Sequence, residues 1–296
     1  MSGWEVPRNL LRAVESGDPD SVQRRWLASL PGIVAGLARE WSLAEVARPF
    51  QPGGTTAWVA EARTGGGEPV VLKVGWRHEE ALHEADGLRV WDGEGAVRLL
   101  DARVFGHTSA LLVEACRPGT PLSVLPEAEQ DGIVAKLLPR LWISPPKAHP
   151  FRTLQSMCDS WAEEFDERLE ATRGCAGALD AGIVRAGIDL LRELPSTAVR
   201  QVVLCTDLHA GNILAAEREP WLIVDPKPYV GDPTFDVLQH LLNCDRLTSQ
   251  PAAFLRRMAH LLDLDPGRLR AWTFARCVHE SLEQPHLRSV AITLAP

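Results

Sequence analysis

Several absences limit what this chain can be. It has no run of about 18 apolar residues, the length that crosses a bilayer, so we expect no membrane-spanning helix. The opening residues, MSGWEVPRNLLRAVESGD, contain no basic start followed by an apolar block, which predicts no secretory signal. The six cysteines are scattered without a CxxC pair, so neither a disulfide framework nor a zinc site is expected. These absences together predict a cytoplasmic protein.

Positive charge is also scarce. The formal net charge of −8 argues against a nucleic-acid partner and is compatible with a cationic small molecule. Lysine is especially rare, because only four of the 31 basic residues are lysines, at positions 73, 136, 147 and 227. Since the chain otherwise uses arginine, a lysine inside an apolar stretch indicates a need for a compact point charge on a flexible stem.

The first part of the chain mixes helices and strands. Apolar residues at helical spacing predict two amphipathic helices within residues 8–40. A loop containing Gly53 and Gly54 then precedes a β-hairpin. The other predicted elements of this part are a helix at 77–91 and strands at 57–62, 70–74, 97–104 and 108–114. This order predicts a mostly antiparallel sheet.

The connector ACRPGTPL, with two prolines and a glycine, marks a candidate domain boundary. The pattern beyond it is helical, interrupted by a hairpin of residues 201–204 and 212–215 and by a strand at 221–225. Helices are predicted at 127–141, 153–172, 178–194, 234–247, 251–263 and 267–283. We therefore predict an α+β chain with a small first part, residues 1–115, and a larger helical part, residues 116–296.

Lys73 lies in the apolar stretch VVLKVG. A buried lysine is costly unless an anion neutralises it. Glu84, in the helix that follows, is the natural partner, and Glu80 one turn earlier is the competitor. Taken alone, Lys73 is better explained as an edge-strand residue that reaches solvent.

The stretch VLCTDLHAGNIL places Asp207, His209 and Asn212 between apolar flanks, and Asp225 ends the apolar strand WLIVD. A carboxamide oxygen and a carboxylate suit Mg²⁺, and Asp207 beside them could take a proton from a substrate hydroxyl. Each residue alone also has an ordinary explanation: Asp207 as a turn former, Gly211 with Asn212 as a tight turn, and Asp225 as a helix cap.

Two further polar residues leave alternatives open. His209 and Asp207 form D-x-H, which could bind zinc, but no other histidine or cysteine stands at ligand spacing nearby. A loop-stabilising or substrate-adjacent role for His209 is therefore favoured. Lys227 follows Asp225 closely and either reaches a phosphate or sits at the surface.

The order of these residues is more specific than any of them alone. A lysine in a strand, a glutamate in the next helix, a connector, D-x-x-x-x-N and a later aspartate follow one another as in the protein-kinase catalytic apparatus. The chain resembles still more the aminoglycoside phosphotransferase family, in particular its 6-phosphotransferase group of streptomycin kinases and hydroxyurea phosphotransferases. The likeness extends from about Trp26 to Cys277 and is carried by HEADGLRVWDGEGAVRLLDA, TDLHAGNIL and LIVDPKPYVGDPTFDVLQ.

The resemblance implies a bilobal, protein-kinase-like fold. Residues 1–115 would form the nucleotide-binding lobe, and residues 116–296 the lobe with the catalytic loop and the acceptor site. It implies ATP, or GTP in its place, together with Mg²⁺. The acceptor would be a cationic aminoglycoside antibiotic, streptomycin at its 6-hydroxyl as first choice, so that the activity gives antibiotic resistance. A monomer with no nucleic-acid or membrane partner is expected.

The resemblance also assigns roles. Lys73 would hold the α- and β-phosphates and pair with Glu84, Asp207 would orient and deprotonate the acceptor hydroxyl, and Asn212 and Asp225 would ligate Mg²⁺. Such a site works by positioning and charge neutralisation.

Further roles follow from the same resemblance. Asp236 would brace the catalytic loop by accepting backbone N–H bonds. Adenine would meet the backbone near Glu114 and Cys116, and the loop of Gly53 and Gly54 would lie over the phosphates. That loop, PGGTTAW, lacks G-x-G-x-x-G, so its phosphate contacts are the least defined, and no G-x-x-x-x-G-K-[ST] motif occurs anywhere.

Two positions depart from the family pattern, Cys205 where histidine is usual and Thr206 where glycine is usual, and we expect adjustment without loss of activity. For the acceptor, the family's use of acids from the helical lobe points to Asp159, Glu163, Glu280 and Glu283. An ordinary solvated helix face explains the same acids.

Three other functions compete with this interpretation. The chain could phosphorylate another hydroxylated metabolite or antibiotic, such as a macrolide. It could be a non-catalytic nucleotide-binding module of kinase fold, although such a module would be expected to lack at least one of Lys73, Glu84, Asp207, Asn212 and Asp225, which are all present. It could also be a metal-dependent hydrolase that uses Asp207, His209 and Asp225.

Overall fold

The computed structural model describes residues 4–18, 21–171 and 179–296. The chain divides into two compact units, the first made of Met1–Gly119 with Ala215–Leu222 and the second of Thr120–Leu214 with Ile223–Pro296. None of the helices in the described ranges combines the length and the hydrophobicity of a membrane span. The assignment of nucleotide binding to residues 1–115 and of acceptor binding to residues 116–296 stays a prediction.

The first unit is built on a five-stranded antiparallel sheet with the order β1-β2-β3-β5-β4. Helices α1 and α2 pack against this sheet in one apolar core, in which Leu10, Trp26 and Leu30 meet Leu72 and Val74. The elements are α1 (Arg8–Glu15), α2 (Val22–Glu40), β1 (Leu43–Pro49), β2 (Ala57–Thr64), β3 (Pro69–Trp76), α3 (Glu84–Trp91), β4 (Leu99–Phe105) and β5 (Thr108–Glu114).

The single helix predicted for residues 77–91 is wrong. The chain instead forms a 3₁₀ turn, Glu79–Ala81, and then α3. His83 leaves helical geometry, with φ −114° and ψ 15°, and the helix that starts after it carries Glu84 and Asp86 in its first turn. Acidic residues are favoured there because the amino end of a helix carries partial positive charge.

The second unit is mainly helical. Its elements are α4 (Glu127–Leu141), β6 (Arg152–Thr153), α5 (Leu154–Ala171), α6 (Ala181–Glu193), β7 (Val202–Leu204), β10 (Tyr229–Gly231), α7 (Pro233–Asp236), α8 (Leu238–Leu242), α9 (Arg246–Ser249), α10 (Pro251–Leu262), α11 (Pro266–Glu280) and α12 (Leu287–Leu294). Strands β8 (Ile213–Ala215) and β9 (Trp221–Ile223) are shared between the two units, since Ala215–Leu222 belongs to the first. Residues 172 and 178, at the ends of two predicted helices, lie outside the described residues.

The predicted hairpin between 201–204 and 212–215 is also wrong. Strand β7 pairs with β10, with Leu204 opposite Tyr229, while β8 and β9 form a separate two-stranded sheet. The residues between β7 and β8 do not make a tight turn, because they form an irregular loop that ends in a 3₁₀ turn at Ala210–Asn212. The polar loop is thereby anchored in two sheets.

The helix predicted at 234–247 is divided into α7, α8 and α9. Helix α9 starts anew because the Glu127 carboxylate accepts hydrogen bonds from the backbone N–H of Asp245 (2.7 Å) and of Arg246 (3.4 Å). A carboxylate at this position satisfies amino-terminal N–H groups that have no partner within the helix. This cap comes from a distant helix, α4, so the local pattern does not reveal it.

Candidate active site

Lys73 and Glu84 form a closed ion pair in the first unit. Lys73 lies on β3, where Val59 of β2 and Leu111 of β5 stand opposite it, so β3 is an inner strand. The edge-strand explanation is therefore wrong. The Lys73 Nζ atom is 2.7 Å from both carboxylate oxygens of Glu84, which is buried, whereas Glu80 is exposed. The predicted pairing is present, and the charge of Lys73 is held in the sheet by a fixed partner.

An arginine that sequence reasoning missed holds the end of β5. Arg218 donates to both carboxylate oxygens of Glu114, at 2.5 Å from Nη2 to Oε1 and 3.0 Å from Nε to Oε2. It also donates to the carbonyl oxygens of Gly93 and Ala96. Burial raises the pKa of the neighbouring Cys116 thiol to about 11, so this thiol is protonated at neutral pH. The segment predicted to meet adenine is thus rigidly braced.

Gly53 and Gly54 lie in the loop between β1 and β2. Gly53 has φ +71°, a conformation that L side chains rarely adopt. The backbone conformation therefore favours glycine at position 53. This loop contains the residues predicted to lie over the phosphates.

Asp207 lies in the second unit, directly after β7. Its backbone N–H donates to the Cys205 carbonyl (2.8 Å), which also accepts from the N–H of Lys227 (2.9 Å). The Lys227 Nζ atom is 3.3 Å from Asp207 Oδ2, a pairing that neither predicted alternative for Lys227 described. Burial raises the pKa of Asp207, while the charges of Lys227 and His209 oppose that shift and Asp225 adds to it. Asp207 is therefore a more basic carboxylate than an exposed aspartate.

Asn212 is oriented by the same loop. Its Nδ2 donates to the Asp207 carbonyl (3.0 Å) and its backbone N–H to the His209 carbonyl (2.9 Å). The Val224 N–H donates to the Asn212 carbonyl (2.9 Å), which places the exposed Asp225 close by. Because the amide nitrogen is engaged, the carboxamide oxygen is the end that could ligate a metal ion.

This donor set fits Mg²⁺. One carboxamide and one carboxylate are hard oxygen ligands, and Mg²⁺ in phosphoryl-transfer sites is held by one or two protein ligands plus substrate phosphates and water. Among the described residues there is no group of three or more His, Cys, Asp and Glu that could hold a metal ion. Asn212 and Asp225 would accordingly hold Mg²⁺, and a zinc-type centre is not supported.

His209 stabilises the loop. The Gly211 N–H donates to His209 Nδ1 (3.1 Å), and a β-carbon on Gly211 would lie 2.8 Å from the imidazole Cε1. Burial lowers the pKa of His209, which keeps the ring neutral and its Nδ1 available as an acceptor. The ring therefore fixes the turn that carries Asn212.

Asp236, at the end of α7, holds the backbone that leads into Asp207. Its Oδ2 accepts from Cys205 N (3.0 Å) and from Trp142 Nε1 (3.1 Å), and its Oδ1 accepts from Thr206 N (2.6 Å). Asp236 is fully buried, and burial raises its pKa to about 6. Thr206 takes φ +55°, where glycine would fit without strain, and its hydroxyl donates to the Lys227 carbonyl. Nothing in the sequence indicates that Trp142 contacts Asp236.

The four acids predicted for the acceptor do not form an unpaired cluster. Asp159 accepts from Gln155 Nε2 (2.9 Å), and Glu283 lies 2.5 Å from Arg168 Nη1. Glu163 is exposed, and it has no hydrogen-bond or ion-pair partner among the described residues. Glu280, by contrast, is largely buried.

Glu280 is neutralised by its own helix. Arg276 Nη2 lies 2.8 Å from its carboxylate, and His279 Nδ1 lies 3.4 Å away. Although burial opposes the shift, the hydrogen bond from His279 and the charge of Arg276 lower the pKa of Glu280 to about 2. Arg276, which the sequence did not single out, also stacks over Trp161 at 4.2 Å. The role of these acids in acceptor binding stays a prediction.

Known proteins match most of the chain. A family model described as aminoglycoside/hydroxyurea antibiotic resistance kinase matches residues 40–283. A hydroxyurea phosphotransferase from Kitasatospora aureofaciens is 36% identical, with 97% of this chain and 82% of the relative covered. A streptomycin 6-kinase from Streptomyces griseus is 34% identical, with 88% and 84% covered.

Solved structures of small-molecule kinases share the fold. A choline/ethanolamine kinase family protein from Mesorhizobium loti matches with a TM-score of 0.58 at 16% identity, covering 90% of this chain and 92% of the other. An amicoumacin kinase solved with AMP-PNP and Ca²⁺ matches with a TM-score of 0.55 at 15% identity, covering 89% and 94%. The predicted kinase-like α+β fold is thus confirmed.

Proposed function

The chain belongs to the aminoglycoside/hydroxyurea antibiotic resistance kinase family, and from this premise we propose that it phosphorylates an aminoglycoside antibiotic with ATP. It is a small-molecule kinase, and the proposed acceptor is streptomycin at its 6-hydroxyl. The observation that carries the proposal is the loop of Asp207, whose backbone is held by the buried Asp236 and which places Asn212 beside Asp225.

Asp207 is the proposed base. As the acceptor oxygen forms its bond to the terminal phosphorus, the bond from phosphorus to the ADP oxygen breaks and the hydroxyl proton passes to Asp207. A carboxylate whose pKa is raised by burial is better matched to this proton transfer than an exposed one. Lys227, 3.3 Å from the same carboxylate, keeps it oriented before the acceptor arrives.

Charge neutralisation is the other part of the mechanism. Mg²⁺, when bound, supplies positive charge against the phosphate oxygens, and Asn212 and Asp225 are the residues that would hold it. In the first unit, Lys73 supplies a second cation for the α- and β-phosphates, and Glu84 fixes its position. The kinase relative solved with AMP-PNP and Ca²⁺ supports a nucleoside triphosphate with a divalent metal as the cofactor pair.

The acceptor has two candidates. The streptomycin 6-kinase relative and the net charge of −8 favour a cationic aminoglycoside. Hydroxyurea is the second candidate, since the hydroxyurea phosphotransferase relative is equally similar and since Asp159, Glu280 and Glu283 already have partners within the chain. A small neutral acceptor does not require free carboxylates.

An acceptor panel tests the proposal. Purified protein with Mg²⁺ and either ATP or GTP is incubated with streptomycin, hydroxyurea, spectinomycin or a macrolide, and product mass is measured together with ADP or GDP release. We expect ATP-dependent phosphorylation of streptomycin. Phosphorylation of hydroxyurea alone would overturn the choice of acceptor, and nucleotide binding without any phosphorylated product would favour the non-catalytic module.

The variant Asp207→Asn tests the base assignment. It removes the proton acceptor while keeping the side-chain shape, so turnover should fall about 1,000-fold, the middle of the range of general-base effects. The matched control is Asp189→Asn, an exposed acid on α6 that should retain full activity. Full activity in Asp207→Asn, with an unchanged melting temperature, would refute the assignment.

A further inference from the structure

The segment of residues 4–9, here called the strap, runs along the loop of residues 50–56, here called the glycine loop. Asn9 makes two hydrogen bonds to this loop. Its Nδ2 donates to the Gly53 carbonyl (2.8 Å), and its backbone N–H donates to the Pro52 carbonyl (3.0 Å). Two consecutive carbonyl groups of the loop therefore point at one residue of the strap.

Gln51 also joins the strap and the glycine loop, both as a hydrogen-bond acceptor and as a donor. Its Oε1 accepts from the Arg8 N–H (3.1 Å), and its Nε2 donates to the Val6 carbonyl (3.2 Å). With the bonds of Asn9, four hydrogen bonds join the strap to the loop. The loop is thus restrained along residues 51–53, not at a single point.

The strap is itself anchored on the sheet. Trp4 stacks on Trp58 of β2, with ring centroids 5.3 Å apart, and the Trp58 Nε1 donates to the Glu5 carbonyl (3.1 Å). Glu5 also pairs with Arg48 at 2.9 Å, although the Arg48 side chain is largely exposed and that of Glu5 partly so. Since β2 follows the glycine loop directly, the strap and the loop share one rigid support.

The strap and the glycine loop also pack closely at Gly53. A β-carbon on Gly53 would lie 2.6 Å from the Pro7 Cβ, and Gly53 also has φ +71°. The glycine is therefore needed both for its backbone conformation and for the close approach of Pro7. The strap and the loop are fitted to each other at the position predicted to lie over the phosphates.

The peptide planes of the loop determine where its N–H groups point. In a trans peptide the C=O and the following N–H point in opposite directions. Because the carbonyls of Pro52 and Gly53 face Asn9, the N–H groups of Gly53 and Gly54 face away from the strap. Among the described residues, neither N–H has a hydrogen-bond partner. Successive free backbone N–H groups of this kind bind anions such as phosphate.

We propose that Asn9 is a positioning residue for the nucleotide triphosphate, acting through the glycine loop. Its two hydrogen bonds turn the peptide planes so that the N–H groups of Gly53 and Gly54 face the phosphates. This inference rests on the proposed function, in which ATP is the phosphoryl donor. Asn9 does not touch the nucleotide itself.

The test compares two ligands that differ in their phosphates. Binding of AMP-PNP with Mg²⁺ and of adenosine is measured by calorimetry for the wild type, Asn9→Asp and Asn9→Ala. Asn9→Asp keeps the shape and replaces the amide donor with an acceptor, and Asn9→Ala removes the amide without adding charge. We expect both variants to bind AMP-PNP about tenfold more weakly, the value of one lost charge-assisted hydrogen bond, with adenosine binding unchanged.

The control is Arg48→Ala, which breaks an exposed ion pair of the strap without touching the loop carbonyls and should bind both ligands as the wild type does. A purely structural role of Asn9 would lower the melting temperature and leave the ratio of the two affinities unchanged, which would overturn the proposal. If the wild type binds AMP-PNP and phosphorylates an acceptor while both Asn9 variants match it, only the positioning role is refuted. A wild type that binds no nucleotide refutes the proposed function as well.

Discussion

Replacing Asp236 with asparagine tests how the loop that carries Asp207 is held. The carboxylate accepts three hydrogen bonds, two on Oδ2 from Cys205 N and Trp142 Nε1, and one on Oδ1 from Thr206 N. Asparagine has the same shape but only one acceptor oxygen. If that oxygen takes the place of Oδ2, the NH₂ group opposes the Thr206 N–H, and the reverse orientation loses the other two bonds.

The magnitude follows from these bonds. A buried donor left without its acceptor costs about 1–3 kcal/mol, so Asp236→Asn should lower the free energy of unfolding by about 2 kcal/mol at neutral pH. The backbone N–H groups of Cys205 and Thr206 lie directly before Asp207. A displacement of about 1 Å at a catalytic group can reduce turnover about 100-fold, and we expect a fall in kcat of that order.

The same residue predicts a pH dependence. Burial raises the pKa of Asp236 from its ordinary value of 3.8 to about 6, so between these values the folded state binds more protons than the unfolded state. Stability from this group is therefore fully present below about pH 4 and declines as pH rises to about 6. The Asp236→Asn variant should lack this contribution to the slope of unfolding free energy against pH.

Urea unfolding followed by circular dichroism gives the stability at each pH, and initial rates of ADP release at saturating substrates give kcat. The matched control is Asp232→Asn, a buried aspartate whose partners are Thr234, Arg268 and Trp272. That variant should lose stability but keep the kcat of its folded fraction. An Asp236→Asn protein with wild-type kcat would refute the claim that Asp236 positions the catalytic loop.

Two further predictions concern the fold around the site. Glu84→Gln leaves the partly buried Lys73 without its counter-charge, so we expect a loss of about 3 kcal/mol in urea unfolding and a higher KM for ATP; an unchanged KM would contradict the role of the pair. Gly187→Ala places a β-carbon 2.5–2.8 Å from Val278 side-chain carbons, so it should separate α6 from α11 and cost about 2 kcal/mol with kcat unchanged; wild-type stability would show that the helices adjust freely.

The elements that could be predicted from the sequence are those defined by local pattern. Strands β2 and β3 alternate and are joined by the turn of Gly65–Gly67, and Lys73 stands out in β3 because its neighbours are apolar. Strand β1 was missed because its sequence, LAEVARP, shows no regular alternation of apolar and polar residues, and only Pro49 of its seven residues is buried.

Long-range pairing accounts for the other errors in the fold. Strands β7 and β10 have three residues each and are separated by the catalytic loop and by β8 and β9, so nothing local shows that they pair. A hairpin with the nearer β8 is the natural prediction, yet the hydrogen bonds of Asp236 hold the loop open between them. The pairing of β7 with β10 is therefore set by tertiary contacts and not by the local sequence.

In the site, too, the sequence predicts some residues and gives no indication of others. The spacing of Asp207, Asn212 and Asp225 identified the residues that the loop brings together. Other residues that contact the site lie far away in the sequence or in stretches without a distinctive pattern. Lys227 lies beside Asp207, and Trp142 donates a hydrogen bond to Asp236. Arginines that pair with the predicted acceptor acids could not be foreseen either, since a helical pattern shows a face but not the charge that meets it.

The central claim is that this chain transfers a phosphoryl group from ATP to an acceptor hydroxyl, and phosphorus NMR of the complete reaction tests it most directly. With ATP, Mg²⁺ and streptomycin, we predict that a phosphomonoester resonance on the acceptor grows in step with ADP, one for one. The claim would be contradicted if every acceptor of the panel left ATP unconsumed, or if ADP formed only with inorganic phosphate at a rate independent of the acceptor.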